Sequence, residues 1–374
     1  MTNEEIQVCL QPTQTKYVKL EILDYLDRIV DELSGEIIDG SYNIDTNSAI
    51  RRTCNIEFKL TSKLVISNSS PLWINKRFRL YVGILNLLTG LVVYFNEGIY
   101  IINDPVIDIQ LSMNTISIKG IDKMAMFTND LSGQLTNKTV ISVATPISDA
   151  ITSTVSTLGE ETKLLIDTSP YTVPYEIEKE AGNTIYDLLK EISDLYMNWK
   201  FYYDVYGNFI FEEIRNHLTD PIIFDFSLYN VIQSISQNIK YSNIKNYFKV
   251  IGKLLDTGIQ YTSTLTVTDA LYSNNLFTVE KMLEASTRKL IINEDTYYTQ
   301  EQCDARRDWE FSLHNNFAEE ISFSCIPLLF LDCDQIIYLD YEDYGIVGNY
   351  CISNISSSIK FDGIMQVSAY KIYN

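Results

Sequence analysis

Residues 325–372 read CIPLLFLDCDQIIYLDYEDYGIVGNYCISNISSSIKFDGIMQVSAYKI, three strand-like runs punctuated by Asp and Gly. The stretch has the character of framework, not of an active site. What decides the fold is that an earlier part of the chain has the same organisation. Arg77 to Ile118 runs RFRLYVGIL, VVYFNEGIYII and VIDIQLSMNTISI; Asp334 to Val367 runs DQIIYLDY, YGIVGNYCI and SNISSSIKFDGIMQV. Each copy holds a strand, a Gly-bearing turn before an apolar Tyr-containing strand (Gly98-Ile99-Tyr100-Ile101 and Gly348-Asn349-Tyr350-Cys351), and a closing hairpin. The pattern predicts a duplication.

Working outward, the expected fold class is β-rich α+β. Two related small β-barrel domains are separated by an α/β insert and a further inserted segment. The 374 residues divide on this reading into a first barrel (1–134), an α/β domain (135–218), the start of a second barrel (219–255), an inserted segment with a helix (256–320), and the end of the second barrel (321–374). The 26 Tyr and 16 Phe suit strands better than a helix bundle.

Successive short strands are predicted at KYVKLEILD, GEIIDGSYNID, CNIEFKL, RFRLYVGIL, LVVYFNEGIYII and ISIKGID. At TPISDAITSTVSTLG the period changes. Thr145 is placed to cap a helix that starts at Pro146 and stops at Gly159, burying Ile147, Ala150, Ile151, Val155 and Leu158. A stronger helix is predicted through NTIYDLLKEISDLYMNW, with apolar residues at helical spacing from Ile185 to Trp199, leading into a hairpin turned at Tyr206-Gly207-Asn208. Strands resume after Pro221. Residues 256–300 read as irregular or short-strand structure, and a helix follows with a Thr299/Gln302 capping box and Ala305, Trp309 and Leu313 as its stripe.

A net charge of −20, spread along the chain, argues against a nucleic-acid-binding face and against adhesion to anionic lipid. An acidic wall still suits a conduit through which nucleic acid slides without sticking, and the strands that face such a conduit should carry acidic or small residues. The cysteines Cys9, Cys54, Cys303, Cys325, Cys333 and Cys351 have no paired spacing and read as buried thiols. No membrane insertion is predicted: the longest apolar stretch, Tyr81 to Phe95, is broken by Asn86, Thr89 and two glycines. No export signal is visible, which points to synthesis in a cytoplasm.

Chemistry is sparse. The two histidines, His217 and His314, stand in no known catalytic motif, and Cys303 and His314 are too far apart on one helix to touch. No cofactor is implied. Asp332, Asp334, Asp340, Glu342 and Asp343, beside Cys333, supply oxygen ligands without the spacing of a known Ca²⁺ loop. The paired arginines Arg51-Arg52 and Arg306-Arg307 are candidate subunit-bridging residues, since guanidinium binds an acidic partner surface bidentately.

The chain resembles the baseplate hub proteins of bacteriophage tails and contractile injection systems, in the form found in phages of Gram-positive bacteria. Two phrases carry the resemblance. One is LLKEISDLYMNWKFYYDVYGNFIFEEI (Leu188 to Ile214); the other is Ile326-Pro327-Leu328, Asp334, Gly348-Asn349-Tyr350 and Asp362-Gly363. The resemblance implies a non-enzymatic structural hub, located in the virion tail and assembled in the host bacterial cytoplasm. It implies a homotrimer that adapts a sixfold tail tube to a threefold tip around the channel used in genome ejection. The implied partners are the tail tube or distal tail protein, a spike or fibre component, the tape-measure protein, and passing DNA without specific binding. Many hubs continue into a fibre, peptidase or lysozyme module, so such an activity is expected here on another polypeptide. Two other classes remain open on sequence: a peptidoglycan hydrolase using paired carboxylates, and a carbohydrate-binding tail-tip adaptor using Tyr202, Tyr203 and Tyr206.

Overall fold

The computed structural model describes residues 2–34, 37–74, 76–215, 217, 219–273, 275–282, 287–316, 319–360 and 362–372. Gly35, Glu36, Leu218 and Phe361, which the expected strands and boundaries include, lie outside them. A short helix α1 (Asn3–Cys9) precedes the strands β1 (Lys16–Leu23), β2 (Ile29–Ser34), β3 (Ile37–Asp45), β4 (Arg52–Lys59), β5 (Arg77–Leu85), β6 (Val92–Asp108) and β7 (Thr115–Ile121). The middle of the chain forms β8 (Thr139–Ile141), α2 (Ile147–Ser153), β9 (Leu164–Ile166), β10 (Ile177–Lys179), α3 (Ile185–Asp194), β11 (Trp199–Tyr203) and β12 (Phe209–Glu213). Then come β13 (Ile222–Asp225), β14 (Ile232–Ile239), β15 (Tyr247–Leu254), β16 (Gln260–Thr266), β17 (Lys289–Asn293), α4 (Gln300–Phe311), β18 (Glu319–Cys325), β19 (Ile336–Tyr341), β20 (Ile346–Ser358) and β21 (Met365–Lys371).

The protein is β-rich with helices set aside, as the aromatic, alternating runs predict. Its strands do not close into two separate barrels. Among the described residues the first and last parts of the chain build one open 13-stranded sheet, in the order β14-β18-β21-β20-β3-β4-β7-β6-β5-β1-β2, with β19 on β20 and β13 on β19. The physical reason is the length of β20. Its first half pairs with β19, its middle with β21, and its last residues, Asn354 to Ser358, take β3 as a further partner. One strand therefore ties the two halves into a sheet over a shared core that includes Leu20, Ile56, Phe78, Phe323, Leu339 and Val367.

The duplication is visible in strand order and in register. The series β3-β4-β7-β6-β5 matches β14-β18-β21-β20-β19. In the first, Leu80 faces Gly98 and Phe78 faces Tyr100; in the second, Leu339 faces Gly348 and Ile337 faces Tyr350. Gly98 and Gly348 have φ of 132° and 126°, a backbone that side chains rarely adopt, so both copies need glycine at the same point of the ladder. Tyr100 and Tyr350 are fully buried.

A second core fills the middle of the chain, where α2, α3 and the β11–β12 hairpin pack through Ile151, Leu188, Leu189, Trp199 and Phe211. Thr184 accepts from the Asp187 amide and Asp187 from the Thr184 amide, a capping box that starts α3. The helix is shorter than its apolar spacing suggests. It ends at Asp194, a turn follows, and Trp199 opens β11, because the Ser193 hydroxyl donates to the Trp199 carbonyl and draws the chain round. Leu195, Tyr196 and Trp199 are buried nonetheless. For α2 the cap differs: Thr145 donates its hydroxyl to the Ser142 carbonyl, Pro146 stands before the helix, and Leu158 is partly exposed.

In the last insert, β15 belongs with β16 and β17, not with the second barrel-like series, and α4 packs on this small sheet. The residues between 256 and 300 contribute the two short strands β16 and β17, in keeping with their irregular or short-strand reading. The Thr299/Gln302 capping box forms, but the buried face of α4 is Gln302, Cys303, Ala305, Glu310 and Phe311, while Leu313 is exposed. Tertiary contacts overrode the four-residue stripe.

Candidate functional surface

Alternation along each strand sends one set of side chains to the shared core and the other to the opposite face of the sheet. Register then lines up the second set. Ser234 faces Ser324, which faces Gln366, which faces Ser356, then Asn43, then Thr53. A neighbouring row runs Ser236, Ser322, Ser368, Asn354 and Asp45. The Ser234 and Ser324 hydroxyls lie 2.6 Å apart, and those of Ser322 and Ser368 3.1 Å apart, so neighbouring strands share hydrogen bonds across this face. In a chain of net charge −20, the surface is small, polar and nearly neutral. The sequence signal was ISNISSSI, where small polar residues fill the intervals between Ile352, Ile355 and Ile359.

Behind it, at the junction of the two halves, lies an ionic cluster. Arg51 donates to Asp334 at 3.0 Å and Arg52 to Asp332 at 2.5 Å, and Lys200 of the middle segment reaches Asp334 at 2.8 Å. Arg51 also lies over the Tyr202 ring, 4.3 Å from its centroid. Burial opposes ionisation of Asp334, but Arg51 and Lys200 outweigh it and hold the carboxyl down at about 2. Glu97 shows the opposite result. Burial pushes its carboxyl up to about 8, with Arg52 drawing it back and Asp332 adding to the rise. Burial likewise raises Asp122 to about 6, although the Arg52 and Met124 amides donate to it.

The four arginines singled out in the sequence therefore have different placements. Arg51 and Arg52 are buried and turned inward onto the chain's own carboxylates, not toward an exposed face. Arg306 and Arg307 sit half-exposed on α4, where Arg306 pairs with Glu310 at 2.7 Å and Arg307 with Asp308 at 2.7 Å. The structure does not bring the two pairs together as one site.

The expected acidic cluster also separates. Asp332 and Asp334 turn to the arginines, while Glu342 and Asp343 occupy an exposed turn after β19. A different metal-type group converges: donor atoms of His217, Asp334 and Cys351 lie within 4.8 Å of one another. Its electrostatics disfavour a divalent ion, because Arg51 and Lys200 already hold the carboxylate and burial pushes the Cys351 thiol up to about 12. Cys303 and His314 do not meet. The thiol of Cys303 points to the Tyr261 carbonyl, and His314 lies 3.2 Å from Glu310. Of the three tyrosines considered for sugar stacking, Tyr203 is buried, Tyr202 donates to Glu212, and Tyr206 is exposed.

Sequence reasoning missed a second buried network that fastens the middle segment to the sheet. Lys123, wholly buried, pairs with Glu161 at 2.5 Å and Asp27 at 3.2 Å, and Asp27 also holds Arg77 and Lys163. A lone lysine in DKMAM gives no hint of burial.

No protein-family model matches the chain, and no curated protein matches it. Solved structures do. A tail protein from Neisseria meningitidis MC58 aligns with a TM-score of 0.66 at 8% identity, covering 96% of this chain and 98% of that one. The 43 kDa tail protein of prophage MuSo2 from Shewanella oneidensis gives 0.61 at 15% identity, covering 95% and 98%. The prophage tail protein gp18 from Listeria monocytogenes EGD-e gives 0.57 at 12% identity, covering 94% of each. Over nearly its whole length, this chain has the fold of phage tail proteins.

Proposed function

We propose that the protein is a structural hub of a phage tail or tail-like particle. Three copies, each contributing two similar strand series, form a ring of six similar units around a channel, which joins a sixfold tube to a threefold tip. The observation that carries this reading is the repeated series β3-β4-β7-β6-β5 and β14-β18-β21-β20-β19 inside one chain. The small, nearly neutral face of that sheet supports its role as the wall past which tape-measure protein and DNA move, since a lysine- or arginine-lined wall would bind phosphate. The tail tube or distal tail protein and a spike or fibre component are the neighbours on either side, and the virion tail is the location.

The role is non-enzymatic. The candidate nucleophiles are buried thiols; His314 pairs with Glu310, and where a histidine does stand beside a thiol, His217 near Cys351, its ring is held by Asp220 and burial pushes the thiol up to about 12. The testing measurement is absolute mass by light scattering coupled to size exclusion. A particle of three chains supports the ring, and a monomer over a wide concentration range counts against it. Clearing of a cell-wall zymogram would transfer the reading to the hydrolase class.

A further inference from the structure

The junction inside the chain is a template for a junction between chains. At the end of β20, Ser356 faces Asn43, Ser357 faces Tyr42 and Ser358 faces Ser41, so the second series docks its hairpin on the edge strand of the first. The hairpin is clamped there. Lys16 donates to the carbonyls of Ser358, Lys360 and Gly363, and Lys360 pairs with Asp39.

Each side of this junction has an equivalent that is unpaired among the described residues. The equivalent of the end of β20 is the end of β6, because Val106 faces Ser117 and Ile107 faces Ile116 just as Ser356 faces Gln366 and Ser357 faces Met365. The outer edge of that segment has no strand on it; Val106 is 50% exposed and Ile107 40%. The apolar residues Ile109 and Leu111 at its tip face solvent as well. The equivalent of β3 is β14, because Gln237 faces Ile321 as Tyr42 faces Cys54, and the ladders continue through Ala369 and Gly120 to Ile352 and Ile102. Both edge strands even share a register shift at their start, Ile37/Asp39 and Ile232/Ser234. Yet β14 pairs with β18 alone.

We propose that the end of β6 in one copy of this chain adds as an antiparallel strand to β14 of a second copy. The template fixes the register: Val106 opposite Asn238, Ile107 opposite Gln237, and Asp108 opposite Ser236 of the neighbour. The two edges are different surfaces, so the contact is head-to-tail and forms either a closed ring or an open chain of copies. It satisfies backbone groups that both edges otherwise leave to water. This inference rests on the ring reading given above and names the surface that closes the ring.

The test uses the full chain carrying Val106→Cys and Asn238→Cys. Both sites are exposed, and the native thiols are buried, so background cross-linking is low. Oxidation is expected to yield covalent species ending at three chains on a non-reducing gel. Mixing the two single variants should give a covalent pair and nothing larger. Val106→Cys with Ser234→Cys, four residues out of register, should cross-link about ten-fold less. As a second readout, Ile107→Asp should weaken assembly by about ten-fold or more without moving the thermal midpoint of the dissociated chain at low concentration, since the side chain is exposed in the single chain. Light scattering on the unmodified protein separates the two failures. A three-chain particle with no cross-link at this register overturns the strand pairing and leaves the ring standing, and another component then covers β14. A monomer with no cross-link overturns the pairing and the ring together.

Discussion

β3 and β14 occupy the same place in two copies of one design, and they have opposite surroundings. β3 lies between β4 and the end of β20, with Tyr42 and Ile44 buried. β14 has a neighbour on one side, and its register-equivalent residues are Gln237 and Ile239, the first exposed and the second half-exposed. The backbone plan was kept while the side chains followed what covers each strand. A similar divergence holds at the first position of each second strand, where Arg52 in β4 corresponds to Glu319 in β18. Arg52 holds Asp332, whereas Glu319 accepts from the Tyr350 hydroxyl and pairs with Lys371. Duplicated frames conserve ladders more strictly than they conserve charge.

The comparison can be broken at the junction first. Asp334→Ala leaves Arg51 and Lys200 without their carboxylate and should cost about 3–5 kcal/mol in a denaturant titration, whereas Asp340→Ala, exposed on the neighbouring strand, should cost under about 0.5 kcal/mol. Because the folded-state pKa of Asp334 is lowered from 3.8 to about 2, its contribution is present above pH 3.8 and lost as pH falls through about 2. A melting point independent of pH across that window would contradict the pairing.

Glu97 runs the other way. Its pKa is raised from 4.5 to about 8, so its contribution is fully present below pH 4.5 and lost as pH rises through about 8. Glu97→Gln should flatten that loss, stabilising the protein by about 4–5 kcal/mol at pH 8 relative to its effect at pH 4.5, one pKa unit being about 1.4 kcal/mol. Thermal melts of the two proteins at both pH values check it.

The paired glycines give the sharpest internal control and a smaller effect. A Cβ at Gly98 would meet the Arg52 and Tyr100 side chains at 3.2 and 3.3 Å, while at Gly348 it meets the Lys371 stem at 3.7 Å. Both substitutions to Ala incur backbone strain of about 1–3 kcal/mol, and Gly98→Ala should be the worse of the two. Equal losses would mean that strain alone decides. The smallest change is expected for Arg307→Ala on α4: about 0.5 kcal/mol or less, as for an exposed pair, with assembly retained.

Much of this was legible in the sequence because period and punctuation are local. The glycine–tyrosine phrases at Gly98 and Gly348 located the duplication, and the Thr299/Gln302 capping box located a helix start. What alternation does not encode is the third partner of a strand. Nothing in ISNISSSI announces that its end would pair with β3, more than three hundred residues earlier, and convert two expected barrels into one sheet. The arginines failed as surface candidates for a related reason: Arg51 and Arg52 lie in a polar stretch, and only the fold brings Asp332 and Asp334 to them. Small residues were expected on conduit-facing strands, but which strands place Ser234, Ser324, Gln366 and Ser356 in one row depends on register between segments far apart in the chain.

The late arrival of β20 also orders events on the ribosome. β3 is synthesised early, but the strand that covers it comes almost at the end of the chain. During that interval β3 and the end of β6 both present open edges, the arrangement most prone to pairing with another nascent chain. The middle segment has its own core and local helices, so it can condense while the sheet waits. Two copies growing side by side would each hold an edge that the other could cover, and the lag before β20 emerges sets mispairing of the end of β6 with a neighbour's β3 in competition with correct intrachain closure.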